Sequence, residues 1–299
     1  MLNAFKFSKP KGPGFGISKR FYISILSTKA VLPPLVSILN PEGEDGAVVG
    51  LGAPLMPGAT KDMLREPLAR GAYALATKDR KTVVKLLVLS AEEAGFDAET
   101  LARSSMAASL DPEILARIRA TWTIAQATFE SHDPQVYPSI LFLLGLAKRL
   151  SLLTDGAIAD PISQRYLLPE DILRTGTSET SVDVLDVVSY STADRPDGMH
   201  AFTLGLQKFA LPELEITGLA PDTRRLAGDF LLSAAQTILR GMVLTPGAKL
   251  GSNSALFEAQ EGGHDRALWE GIQVLELLAP THMTATDALE IWHREQLGA

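Results

Sequence analysis

Cysteine is absent from this 299-residue sequence. Its absence excludes disulfides, thiolate zinc sites, iron–sulfur clusters and cysteine nucleophiles. Long apolar runs are also missing, because the longest, from Ile140 to Ala147, is interrupted by Gly145. That run is less than half of the about 18 residues that a membrane span requires. The sequence therefore predicts no transmembrane helix, and we expect no membrane partner.

Positive charge is in the minority, with 28 lysines and arginines against 35 aspartates and glutamates and a net charge of −7. Aromatic residues make up only 6 % of the chain, and the three tryptophans are dispersed. Nucleic-acid binding proteins instead combine a basic surface with clustered aromatic side chains on which bases stack. We therefore expect no nucleic-acid partner.

The amino-terminal twenty residues differ from the rest of the chain. They contain no acidic residue and five basic ones, namely Lys6, Lys9, Lys11, Lys19 and Arg20. Proline and glycine occupy positions 10, 12, 13, 14 and 16, where a signal peptide needs its apolar region. We interpret residues 1–20 as a flexible basic tail on a cytoplasmic protein, with an organellar transit peptide as the alternative.

An apolar fraction of 46 % and a charged fraction of 21 % are typical of a folded globular chain. In the first half, β-favouring composition predicts strands at Tyr22–Ser27 and Thr121–Phe129. Spacing of apolar residues predicts helices at 61–70, 80–94, 111–120 and 135–153. A short segment from Ala157 to Asp160 completes a strand–helix–strand unit.

A loop-like composition between residues 162 and 180 suggests a domain boundary. Beyond it we predict a hairpin of 182–190 and 200–204, strands at 213–217, 255–260 and 272–278, and helices at 222–240 and 284–296. This order indicates an α+β fold with a mixed, largely antiparallel sheet and helices packed on one face. The fold would comprise two associated units, an N-terminal α/β unit over residues 21–165 and a C-terminal α+β unit over 180–299.

Common catalytic and cofactor motifs are incomplete. Gly50 and Gly52 lack the third glycine of a dinucleotide loop, and Pro54 follows where its helix would begin. None of the five histidines has the i, i+4 spacing of a helical metal pair, and no G-x-S-x-G nucleophile elbow occurs. The sequence therefore predicts neither a cofactor nor a covalent hydrolase.

The most distinctive stretch runs from Gly198 to Thr217. It contains His200, Phe202, Thr203 and Gly205, followed by Phe209 and the run Pro212-Glu213-Leu214-Glu215. This pattern resembles a bacterial domain family of unknown function that carries H-x-[FY]-T-x-G followed by F-x-x-P-E-L-E, over about residues 120 to 280. The resemblance implies an α+β fold in a cytoplasmic bacterial protein and implies no reaction.

Glu213 and Glu215 are two residues apart on a predicted strand and therefore point to the same face. If His200 on the neighbouring hairpin reached them, the three side chains would form a divalent-metal site with open water positions. Alternatively, Pro212 places the strand at a sheet edge, where both glutamates are solvated and pair with Lys208 or Arg224. The second interpretation is favoured, with His200, Glu213 and Glu215 as binding residues.

Two function classes follow from these alternatives. The favoured one is a non-enzymatic module that binds an unidentified protein partner. The alternative is a metal-assisted hydrolase that uses His200, Glu213 and Glu215. The alternation of strands and helices also predicts one core behind the two strands of the motif, 200–204 and 213–217. Its members would be Phe202, Leu204, Leu214, Ile216, Phe230 and Leu231.

Overall fold

A computed structural model describes residues 14–39, 48–55, 58, 60–104, 106–174, 176–263 and 265–298. Most of the predicted basic tail lies outside these ranges, as do His264 and residues 40–46, whose polar composition predicts a turn. Within them the chain forms two sheets and packed helices, which confirms the expected α+β class.

The first sheet has seven antiparallel strands. They are β1 (Tyr22–Ser27), β2 (Gly50–Pro54), β3 (Gly71–Thr77), β4 (Val83–Ser90), β5 (Thr123–Ser131), β6 (Ala157–Asp160) and β7 (Arg165–Leu167). Their order across the sheet is β2-β3-β4-β5-β1-β6-β7. The accompanying helices are α1 (Leu35–Leu39), α2 (Ala98–Ala102), α3 (Pro112–Arg119) and α4 (Tyr137–Thr154). The predicted strand–helix–strand unit is β5-α4-β6, and β1 lies between its two strands.

The second sheet has six strands. They are β8 (Ser189–Arg195), β9 (Gly198–Leu204), β10 (Glu213–Leu219), β11 (Lys249–Gly251), β12 (Leu256–Glu261) and β13 (Val274–Leu278). Their order is β11-β12-β13-β10-β9-β8, and the β10–β13 pair is parallel. The helices here are α5 (Val184–Val187), α6 (Arg224–Leu239), α7 (Arg266–Trp269) and α8 (Ala285–Leu297). The predicted 182–190 strand is only partly correct, because α5 precedes β8.

The helices predicted at 61–70 and 80–94 are wrong. The first is a single 3-10 turn at Lys61–Leu64, and the second is β4. Along β4 the buried residues are Val84, Leu86 and Val88, which alternate with half-buried ones. Apolar residues on both faces fit a helical spacing as well as a strand, and pairing with β3 and β5 selects the strand.

Helix α4 fills the space behind the first sheet. By length and apolar composition it is the one helix in the described ranges that passes as a membrane-span candidate. Its buried residues, including Ile140, Leu143 and Leu150, belong to the main hydrophobic core. That core also contains Ile25 of the first sheet and Leu214 of the second, so α4 has the packing of a core helix.

The predicted core behind the motif strands is partly correct. Leu214, Ile216, Phe230 and Leu231 lie in the main core. Phe202 and Leu204 instead pack with Trp269 and Val274 in a separate cluster. The reason is the strand register, because Phe202 is directly opposite Glu215 and therefore faces away from Leu214.

Candidate functional site

Strands β9 and β10 bring His200 and Glu215 into direct contact. The two strands are antiparallel neighbours, and His200 Nε2 lies 2.9 Å from Glu215 Oε2. Both side chains are buried, with exposed fractions of 5 % for His200 and 2 % for Glu215. Leu214 and Ile216 face the main core, so Glu213 and Glu215 point away from it, as the alternation predicted.

The interpretation of Glu213 and Glu215 as the solvated face of an edge strand is wrong. Strand β10 lies inside the sheet between β9 and β13, and the backbone N–H of Glu213 donates to Gln273. Both carboxylates are buried. Their expected partners pair elsewhere, with Lys208 bound to Asp160 and Arg224 bound to Asp194. Pro212 lies just before the strand, so its missing donor does not prevent β13 from pairing there.

The Glu215 carboxylate accepts three hydrogen bonds. Its Oε1 accepts from the backbone N–H of Gly263 at 2.6 Å, and its Oε2 accepts from Trp269 Nε1 at 2.8 Å and from His200. Burial raises the pKa of Glu215, but the donors His200, Gly263 and Trp269 outweigh burial and hold the pKa below its usual value. The close approach requires a glycine at position 262, where a Cβ would lie 2.5 Å from Glu215 Oε1. Glu215 is therefore an ionised acceptor held in one orientation.

Glu215 also fixes the orientation of the His200 ring. Because an ionised carboxylate only accepts hydrogen bonds, we assign a proton to His200 Nε2, and in the neutral ring Nδ1 is then an acceptor. Among the described residues no group bonds to Nδ1, and Nδ1 is not one of the buried polar atoms closed off from solvent. The ring lines a surface cleft, and Nδ1 is its nitrogen without a partner among the described residues.

The cleft has a volume of about 330 Å³. Its walls are formed by Arg195, Asp197, Gly198, His200, Glu215, Thr217, Gly218 and Asp265. Arg195 is ion-paired with Asp265 across the rim. Among the described residues, three carboxylates thus line the cleft against one guanidinium group, which gives this lining a negative charge when His200 is neutral.

Glu213 has a different environment. Its carboxylate accepts from Thr203 Oγ1 at 2.7 Å and from the backbone N–H groups of Gly205 at 2.7 Å and Gln207 at 3.1 Å. Burial raises the pKa of Glu213, and these donors oppose that effect. The residue anchors the loop between β9 and β10 and does not line the cleft.

Of the three predicted site residues, the structure thus brings together His200 and Glu215 but not Glu213. Within the described ranges no group of three histidine or carboxylate side chains is placed to hold a metal ion. Sequence reasoning missed Trp269, Asp265 and Arg195. Trp269 and Asp265 lie about fifty positions beyond the motif, and no periodic pattern in the sequence connects them to it.

No family model matches this chain, and no curated protein or solved structure matches it either. The resemblance of the Gly198–Thr217 segment to a bacterial domain family therefore stays a prediction.

Proposed function

We propose that the protein is a non-enzymatic interaction module that binds a basic segment of a protein partner in the His200 cleft. The observation that carries the proposal is the orientation of His200 by Glu215. A buried ring held by one nitrogen offers its other nitrogen as a preorganised acceptor. Preorganised acceptors favour binding because little side-chain freedom is lost when a donor arrives.

The charge of the cleft supports a cationic group as the bound part of the partner. Asp197 has no cation partner among the described residues, and Arg195 is already paired with Asp265. A lysine or arginine side chain would place its N–H groups between Asp197 and His200 Nδ1. The net charge of −7 further favours the approach of a basic partner.

The alternative of a metal-assisted hydrolase receives less support. It requires His200, Glu213 and Glu215 to converge on one ion, whereas Glu213 directs its carboxylate at Thr203 and the loop that follows β9. The hydroxyl of Thr217 in the cleft wall donates to Glu276 at 2.5 Å and is engaged there. The remaining His200–Glu215 pair can position a hydrogen-bond donor of a partner without Glu213 or a metal ion.

The proposal is tested by isothermal titration calorimetry with a short lysine-rich peptide and a peptide of the same length with glutamine in place of lysine. We expect the glutamine peptide to bind at least about tenfold more weakly, equivalent to ~1.4 kcal/mol. Trp269 donates to Glu215 beside the cleft, so its fluorescence gives a second readout of the same event.

Variants locate the binding. Asp197→Asn and His200→Gln should each weaken binding of the lysine peptide, because one removes charge and the other the oriented acceptor. Asp62→Asn is the matched control. Asp62 is exposed and lies in the 3-10 turn between β2 and β3, in the first sheet. Equal binding of the two peptides, or lysine-peptide affinity that neither cleft variant changes, would refute the proposal.

A further inference from the structure

A second and larger cavity lies beside α4. Its volume is about 560 Å³, and its walls come from the β3–β4 turn, the start of the segment leading to β2, α4 and the region of residues 173–179. None of its lining residues belongs to the His200 cleft. Volumes of this size are typical of sites for small molecules.

The cavity is lined by a second apolar stripe of α4. Pro138, Leu141, Phe142 and Gly145 recur at the i, i+3, i+4, i+7 spacing of one helix face. Other α4 residues, such as Leu143 and Leu150, are fully buried in the main core, and Phe142 belongs to that core as well as to the cavity wall. A helix that is apolar on both sides needs an apolar neighbour on both sides. In the described ranges the second side faces the cavity, together with Val48 and Val49.

Gly145 is the one glycine among the described lining residues of this cavity. Glycine in a helix interior is disfavoured relative to alanine, so its presence calls for a local reason. Close packing against the described residues does not supply one, because among them a Cβ at position 145 would meet only Val48 Cγ2, at 3.4 Å. A larger side chain at this position would project into the cavity and reduce its volume.

Part of the cavity lining is polar and acidic. Asp133 is buried, accepts from the backbone N–H of Gln135 at 2.8 Å and is paired with Lys81 at 3.2 Å. Asp79 and Glu179 line the same cavity, against a single lining lysine, Lys78. Lys81 is also paired with Asp79, at 3.6 Å, so among the described residues three carboxylates face two cations.

A cavity with an apolar wall and acidic lining residues is complementary to a small ligand that is both apolar and cationic. We propose that this cavity binds an organic amine with an apolar body, whose ammonium group lies near Asp79, Asp133 and Glu179 and whose hydrocarbon part packs on the Leu141–Gly145 stripe. The apolar stripe and the acidic side chains make separate contributions to binding, so the charge and the volume of the cavity can be varied independently. This site does not depend on the function proposed for the His200 cleft.

The test uses n-octylamine, n-octanol and n-octanoate, each well below its self-association concentration, with binding measured by ligand-observed NMR and calorimetry. We expect n-octylamine to bind most tightly and n-octanoate at least about tenfold more weakly. Glu179→Gln should reduce the preference for the amine over the alcohol, because Glu179 is exposed and supplies charge without packing.

Volume is tested by Gly145→Leu, with Gly145→Ala as the matched control. The leucine variant should lose about tenfold in amine affinity, while the alanine variant stays within about twofold. If Gly145→Leu does not fold, as judged by circular dichroism, Leu141→Gln on the same stripe replaces it with the same expected loss. Binding of octanoate as tight as that of octylamine, no binding of any probe, or amine binding unaffected by the stripe variants would each overturn the proposal.

Discussion

Burying a carboxylate is unfavourable unless protein donors replace the water that it loses. Glu213 and Glu215 meet this condition in different ways. The donors to Glu213 come mainly from the backbone of the adjoining loop, whereas the donors to Glu215 include the His200 and Trp269 side chains. Glu213 is therefore a structural residue, and Glu215 is a positioning residue for His200.

Glu215→Gln should destabilise the protein at neutral pH. The amide keeps one acceptor oxygen but turns an NH2 group toward donors, and each unsatisfied buried group costs about 1 to 3 kcal/mol. Urea unfolding at pH 7 measures this loss. Glu92→Gln, at an exposed position, controls for the change in charge and should leave stability unchanged within error.

The same variant predicts a pH dependence. The folded-state pKa of Glu215 lies below its value in the unfolded chain, about 4.3. Its contribution to stability is therefore complete above that pH and is lost as the pH falls through the folded-state pKa. The stability difference between wild type and Glu215→Gln should narrow in strongly acidic urea melts. A difference that widens at acid pH would contradict the assignment.

Strands and helices set which side chains meet. Along β9, Met199 and Ala201 face the main core, while His200 and Phe202 face the other side with Trp269. Helix α6 covers the main-core side of this sheet through Phe230, whose ring lies 4.6 Å from Phe257 and 5.0 Å from Trp292, measured between centroids. The cleft is thus formed on the side of the sheet that α6 does not cover.

Phe230→Ala should cost about 3 to 5 kcal/mol in the free energy of unfolding, because it leaves a cavity between α6 and the sheet. Phe230 is 2 % exposed, and the sheet and α8 leave little room for collapse. Equilibrium denaturant melts measure the change. Lysine-peptide binding by the folded variant should persist, since Phe230 is on the opposite side from the cleft. A loss under about 1 kcal/mol would contradict this packing.

The two sheets are joined by a buried ion pair as well as by a shared core. Lys208, in the loop between β9 and β10, is fully buried, and its Nζ lies 2.5 Å from Asp160 Oδ2 on β6. Burial lowers the pKa of Lys208, and Asp160 opposes that effect. Burial would raise the pKa of Asp160, but Lys208 and Arg165 hold it below its usual value. The Lys208–Asp160 pair therefore connects the loop between β9 and β10 to the first sheet.

Lys208→Met should destabilise the whole molecule by about 3 to 5 kcal/mol, because Asp160 stays buried with less compensation. Adding Asp160→Leu should recover part of the loss, since replacing both charges removes the unpaired one. Urea melts followed by tryptophan fluorescence and circular dichroism should give coincident transitions, because one core spans both sheets. Two separated transitions, or no loss in Lys208→Met, would contradict this coupling.

Elements with strong local signals could be predicted from the sequence alone. Asp111 caps α3 with Pro112 in its first turn, and Thr284 caps α8 through a capping box with Asp287. Alternation on β10 correctly set Glu213 and Glu215 against Leu214 and Ile216. These features depend on neighbours within a few residues, so they can be predicted without knowledge of the fold.

The surroundings of those elements depend on the tertiary structure. Alternation says which way Glu215 points, but its burial depends on β13 and Trp269, which come from more than fifty positions later in the chain. For β4, the apolar run fitted a helix until pairing with β3 and β5 fixed it as a strand. Strand order and long-range contacts are collective properties of the packed core, and a local pattern cannot state whether a charged face will meet water or another strand.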